Sequence, residues 1–101
     1  MVIRLAGGSE VIYITDPELS WEVERDKMLV DLRWDILPNQ VAGLPPMFPG
    51  AALSLSVVSY NGGDWEVVDH MVNGTYRVVQ ATVYRAMRNL TCDLSLRRWL
   101  V

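Results

Sequence analysis

The residue best suited to acid–base chemistry in this sequence is His70, the only histidine in the chain. Glu66 and Asp69 precede it closely, so a carboxylate could orient the imidazole for proton transfer. A strand here, however, would put Asp69 on the opposite face and Glu66 about 13 Å away at the usual rise per residue. We therefore expect His70 to be a core histidine that hydrogen-bonds to backbone or to a serine.

The single cysteine, Cys92, does not complete a catalytic site or a metal site. No base lies beside it, and it would sit near the C-terminal end of a predicted helix, which does not lower a thiol pKa. One histidine and one cysteine also lack the spacing of zinc ligands. The Gly7-Gly8 pair belongs to no phosphate-binding pattern. The sequence thus predicts no catalytic residue, metal or cofactor, and a protein that is not an enzyme.

Charge is distributed unevenly along the chain. Residues 1–69 have a net charge of −7, and residues 70–101 have a net charge of +4. A molecule polarised in this way could stack head to tail on copies of itself or dock on a charged partner. The five C-terminal arginines lack interleaved lysines and an aromatic platform, so nucleic acid is not an expected partner.

A group of acidic side chains supports an alternative function. On neighbouring strands these carboxylates could imitate phosphates, which would suit a small acidic inhibitor or regulator of a nucleic-acid-processing partner. The residues concerned are Glu22, Glu24, Asp31 and Asp35. Lys27 and Arg33 dilute the group, so we place this function second.

Size and composition predict one domain that spans residues 1–101. Half of the residues are hydrophobic, enough for a core without metal or disulfide support. The chain has no apolar run of membrane-spanning length, and its N-terminus lacks the apolar segment of a signal peptide. A single cysteine suits a reducing compartment. We expect a cytoplasmic protein, or one assembled in a virion, with no membrane contact.

Period-two alternation predicts several strands. The clearest runs from Met28 to Ile36, and two shorter strands flank the glycine-rich turn at residues 6–9. Residues 16–25 fit either a strand or a helix, and we favour a turn at Asp16-Pro17 that leads to a strand. A reversal at Asp26-Lys27 would then pair Val23 with Val30. The segment 11–14 is apolar on both faces, so we expect it to be covered on both sides.

The stretch from Leu53 to Leu90 predicts a hairpin followed by a helix. A turn at Asn61–Asp64 sets Tyr60 opposite Trp65 and Leu55 opposite His70. From Thr75 to about Asn89 the apolar residues recur at helical spacing, whereas a strand would mix arginine and valine on each face. The predicted fold class is therefore α+β: a twisted antiparallel sheet of about five to seven strands with one amphipathic helix, about 75–89, packed on one face.

This arrangement leaves more apolar surface than one short helix can cover. The uncharged loop from Val41 to Ala52 either covers the core or meets another molecule, and we favour the latter. The expected function is a non-enzymatic subunit that associates with itself or with a larger protein assembly, such as a small phage-type virion component. The predicted interface residues are Val41, Leu44, Met47, Phe48, Tyr60, Trp65 and Trp99.

Overall fold

Strand-forming alternation organises nearly the whole chain, and the structure, a computed structural model, describes residues 1–100. Eight strands occur in these residues, together with a 3₁₀ helix at Pro38–Gly43. The strands are β1 (Val2–Gly7), β2 (Glu10–Thr15), β3 (Glu18–Glu24), β4 (Lys27–Ile36), β5 (Ala52–Asn61), β6 (Asp64–Val67), β7 (Gly74–Ala86) and β8 (Asn89–Trp99).

All strand pairs are antiparallel and belong to one sheet. The order across the sheet is β2-β1-β5-β7-β8-β4-β3, and β6 lies beside the end of β5. Both ends of this order contribute to one hydrophobic core, because Ile14 of β2 and Leu19 of β3 pack on the same cluster. The sheet therefore curls around its own core-facing side. None of the helical residues within 1–100 forms a segment long and apolar enough to cross a membrane.

The strand predicted at Met28–Ile36 is confirmed. All five alternating apolar residues are buried, and none is more than 7% exposed: Met28, Val30, Leu32, Trp34 and Ile36. This strand pairs with β8 along its full length, so Val30 lies opposite Leu96 and Leu32 opposite Leu94. These cross-strand pairs form the centre of the core.

Residues 18–24 are a strand, as favoured, but the predicted register is shifted by two residues. Val23 pairs with Met28 rather than with Val30, because the turn lies at residues 25–26 and Arg25 adopts a positive φ. Glu22 consequently faces Leu29 and not Asp31. The observed register avoids the like-charge pair that the predicted one would create.

The predicted amphipathic helix at 75–89 is wrong, and so is the α+β fold class. Residues 75–86 belong to strand β7, which pairs with β8 from Arg77–Arg97 to Ala86–Asn89, and residues 87–88 form the turn between the two strands. No helix of seven or more residues occurs in the part of the chain that the structure describes. Valine and threonine, which favour strands, supply much of β7.

A β-bulge explains why the helical spacing was misleading. The ladder between β7 and β8 slips between Val78 and Gln80, which leaves Val79 as an extra residue. Tyr76 and Val78 face the core before the bulge, and Ala81 and Val83 lie on the same face after it, opposite Leu94 and Cys92. One inserted residue thus breaks the period of two and gives a spacing close to that of a helix.

This explanation predicts different outcomes for two single-residue deletions. Deleting Val79 keeps Ala81 and Val83 on the core face, whereas deleting Thr82 turns Val83 to the other face. We expect the Thr82 deletion to lower the free energy of unfolding by at least about 1 kcal/mol more than the Val79 deletion does. Urea unfolding of the two proteins measures this difference. Equal losses of stability would contradict the bulge assignment.

Candidate protein interface

A tight hairpin brings Tyr60 and Trp65 together on the outer face of the sheet. Gly62 and Gly63 occupy its turn with φ of 62° and 93°, a conformation that glycine adopts without strain. Tyr60 pairs with Trp65, as the sequence predicted, and their ring centroids lie 5.1 Å apart in an edge-to-face arrangement. Such a geometry is favourable for aromatic rings. Tyr60 remains 63% exposed, so the pair faces solvent.

Tyr13 of β2 extends this pair into a larger apolar surface. Its ring stacks on Trp65 at a centroid distance of 4.9 Å and an interplanar angle of 22°. The contact joins two elements that lie on either side of β1 and β5. We define the aromatic patch as the exposed outer-face residues of these strands: Val11, Tyr13, Tyr60, Trp65 and Val67.

The interface predicted from the sequence does not include three residues of the aromatic patch: Val11, Tyr13 and Val67. The sequence nevertheless carried a signal for the first two. Residues 11–14 are apolar at every position, and we expected both faces of this strand to be covered. The structure contradicts that expectation. Ile14 faces the core, while Val11 and Tyr13 are exposed at 52% and 43%. An edge strand with two apolar faces was therefore evidence for an apolar outer surface.

The proline-rich loop divides between core cover and exposed surface. Leu44 and Met47 are half-buried and pack against the core of their own chain. Val41 and Phe48 are exposed. Part of the loop therefore covers the core, and part of it remains exposed, where it can contact another molecule.

Trp99 lies apart from the aromatic patch, at the end of β8. Lys27 and Arg97 approach its ring at 5.7 and 5.8 Å, distances that suit cation–π contacts. Among the predicted interface residues, the structure thus brings Tyr60 and Trp65 into contact and places Trp99 in a charged environment.

His70 does not lie opposite Leu55, so the predicted pairing is wrong. Strand β6 ends at Val67, and Leu55 pairs with Gly74 instead. The His70 ring packs edge-to-face on Trp21 at 5.3 Å, and its Nδ1 accepts a hydrogen bond from the Val72 amide. The bond to backbone agrees with the expected hydrogen bonding, but His70 is half-buried in a loop and does not belong to the core as expected.

Asn73 explains why β6 ends early. Its side-chain oxygen accepts a hydrogen bond from the Val57 amide at 2.9 Å, and its side-chain nitrogen donates to the Val68 carbonyl at 2.7 Å. The side chain thus satisfies backbone groups that a continuing strand would have paired. Tyr76 further fixes the loop by donating its hydroxyl to the Val72 carbonyl.

The acidic residues predicted to imitate phosphates share their sheet face with hydrogen-bond donors. Asp31 accepts from Ser95 at 2.7 Å, and Asp35 accepts from Thr91 at 2.9 Å. Arg33 lies between them and bonds to Asp93. This bond lowers the pKa of the Asp93 carboxyl and raises the pKa of the Arg33 guanidinium. The acidic surface is therefore interrupted by a positive charge.

Sequence halves of opposite charge do not form opposite ends of the molecule. Strands β7 and β8 carry C-terminal arginines but lie between β5 and β4 in the sheet. Arg97 consequently pairs with Leu29 of the acidic half. Arg77 pairs with Arg97 and Arg85 pairs with Leu90, so the bulge places these two arginines on opposite faces of the sheet. The fold thus mixes charges that the sequence separates.

Burial of Cys92 predicts a stability loss at high pH. Desolvation raises the pKa of this thiol from its ordinary value of 9.0 to about 11. Stability is unaffected below the unfolded-state pKa and falls as the pH rises towards 11, because only the unfolded chain then ionises readily. We expect a loss of about 2 kcal/mol by pH 11, relative to the pH dependence of Cys92→Ala. Urea unfolding at several pH values measures it, and parallel curves would contradict the assignment.

These contacts form an exposed apolar surface. Its stacked rings offer a large apolar area in a fixed arrangement, while residues 1–100 contain no group of three or more histidine, cysteine or carboxylate side chains placed to hold a metal. Neither models of known protein families nor curated protein sequences give a match to this chain.

Proposed function

We propose that this protein is a non-enzymatic interaction subunit that binds other protein through the aromatic patch. The observation that carries the proposal is the contact of Tyr13, Tyr60 and Trp65 on a solvent-facing surface. Tyrosine and tryptophan are enriched among the residues that dominate binding energy at protein interfaces. Val11 and Val67 add exposed apolar area to the same surface.

The arrangement of the rings favours binding because it is already formed. Trp65 is held between Tyr13 and Tyr60, so its rotamer is restricted before any partner arrives. Ordering a free side chain at an interface costs about 0.5–1.5 kcal/mol, and a preformed cluster avoids part of that cost. The patch therefore suits a standing interface within an assembly.

The partner that we propose is a further copy of this chain or a larger protein assembly. We place this subunit in a supramolecular shell such as a phage-type virion. A non-enzymatic role is supported at two positions: the His70 Nδ1 is engaged by backbone, and burial holds the Cys92 thiol in its protonated form. The interrupted acidic surface gives the inhibitor alternative less support.

Replacement of Trp65 by serine tests this function. We expect Trp65→Ser to weaken association at least tenfold, because truncating a central aromatic residue typically costs about 2 kcal/mol or more. Sedimentation velocity over a concentration series measures self-association, and affinity capture followed by mass spectrometry measures binding to other proteins. Circular dichroism checks that the variant keeps its strands.

Trp99→Ser is the matched control, since Trp99 is an exposed tryptophan outside the aromatic patch. We expect this variant to associate as the wild type does. The proposal fails if the wild-type protein is monomeric and captures no partner, or if the two variants weaken association equally.

A further inference from the structure

The second half of β7 has an open edge. Strand β5 pairs with β7 only through residues 74–77, and the last backbone hydrogen bond on that side joins the Gly50 amide to the Val78 carbonyl. From Val79 to Ala86, the described chain pairs with β7 on the β8 side alone. An edge of this kind presents unpaired amide and carbonyl groups to another strand.

The alternation of hydrogen bonds between β7 and β8 identifies the residues whose backbone groups point to the open edge. A two-residue turn at Met87 and Arg88 joins the strands, so its closing pair, Ala86 and Asn89, directs backbone groups inward between the strands. Every second residue before Ala86 does the same. The intervening residues direct their backbone groups to the open edge: Ala81, Val83 and Arg85.

This edge carries one bulge, at Val79, and one charged residue, Arg85, but it lacks the other features that usually prevent strand addition. Residues 79–86 contain no proline, no lysine and no acidic residue. By contrast, β3 lies at the end of the sheet and carries three glutamates, at positions 18, 22 and 24. The other end strand, β2, has the 3₁₀ helix beside it. The open edge of β7 is therefore the least protected of the three.

We propose that residues 80–86 pair antiparallel with the same residues of a second copy of this chain. A two-fold axis at Val83 sets Val83 opposite its own counterpart, Ala81 opposite Arg85, and Thr82 opposite Tyr84. In this register, the backbone amide and carbonyl groups of Ala81, Val83 and Arg85 in one copy face those of the other copy and can hydrogen-bond to them. Such an interface is isologous, because each copy contributes the same strand.

The side chains argue for a second copy as the occupant. At the axis, two valines meet, and Val83 is 41% exposed in the single chain. Thr82 against Tyr84 is a β-branched and aromatic pair, which stabilises sheets. Arg85 faces alanine, so the two arginines do not oppose each other. The segment can therefore pair with itself without placing like charges directly opposite each other.

The paired edge is separate from the aromatic patch, and the inference goes beyond the proposed function. Edge pairing uses β7, whereas the patch lies on β2, β5 and β6. Two copies can therefore pair through β7 while the aromatic patch of each copy remains free for further partners.

Opposite charges at the axis provide the first test. Val83→Lys and Val83→Asp each place like charges directly opposite in the dimer, and we expect each variant alone to dimerise at least tenfold more weakly than the wild type in sedimentation equilibrium. A one-to-one mixture of the two should restore dimers, because only a symmetric axis at Val83 sets lysine against aspartate. Val23→Lys, at an exposed valine of β3 outside both the open edge and the aromatic patch, is the matched control and should dimerise as the wild type does.

A cysteine at the same position provides the second test. Val83→Cys should be joined to a second copy by a short thiol-specific cross-linker at least tenfold faster than Val23→Cys, whose cysteine lies on β3, outside both proposed surfaces. Buried Cys92 is present in both proteins and does not distinguish them. Equal cross-linking rates, or an unchanged dimer in Val83→Lys, would overturn the inference.

The two hypotheses fail separately. Loss of the dimer in Trp65→Ser with no effect of Val83→Lys would refute edge pairing and leave the aromatic patch as the self-association site. The reverse result would support edge pairing and assign the patch to a different partner or to none.

Discussion

Hydrogen bonding along both sides of β8 is the constraint on which the rest of the fold depends. This strand pairs with β4 over ten residues, from Lys27 to Ile36, and with β7 along most of its length. Because side chains of a strand alternate between two faces, these registers decide which residues of both neighbours face the core. Leu94 and Leu96 are fully buried at the centre of the three strands. The bulge at Val79 then adjusts β7 so that its apolar residues remain on that same face on either side of the slip.

The curled sheet has an outer face of two kinds. Over β3, β4 and β8 it is polar, with Arg33 bonded to Asp93 and Ser95 bonded to Asp31. Over β2 and β6 it is apolar, and Tyr13 stacks on Trp65 there. Surface ion pairs contribute little to stability in water, whereas exposed aromatic area leaves a hydrophobic cost that a partner can remove. This difference is why the proposed function rests on the apolar half.

The same strand order explains two features that local sequence does not show. Insertion of β7 and β8 between β5 and β4 mixes the acidic and basic halves of the chain, so a charge-polarised molecule does not result. Divergence of β5 from β7 after Val78 also leaves an open edge at residues 79–86. Each feature depends on which strands become neighbours, and the pairs β5–β7 and β4–β8 join strands that are not consecutive in the sequence.

The sequence by itself determined those strands and turns whose residue pattern fits only one kind of secondary structure. Five alternating apolar residues specified β4, and the glycine pair at 62–63 specified the hairpin that sets Tyr60 against Trp65. Only the tertiary structure decided the state of residues 75–89, because a bulged strand and a helix give similar apolar spacing and pairing with β8 selects the strand. It also decided that Tyr13 joins the exposed patch. A run that is apolar on both faces does not reveal which neighbours it gains, and a strand at the end of a sheet gains fewer than one at the centre.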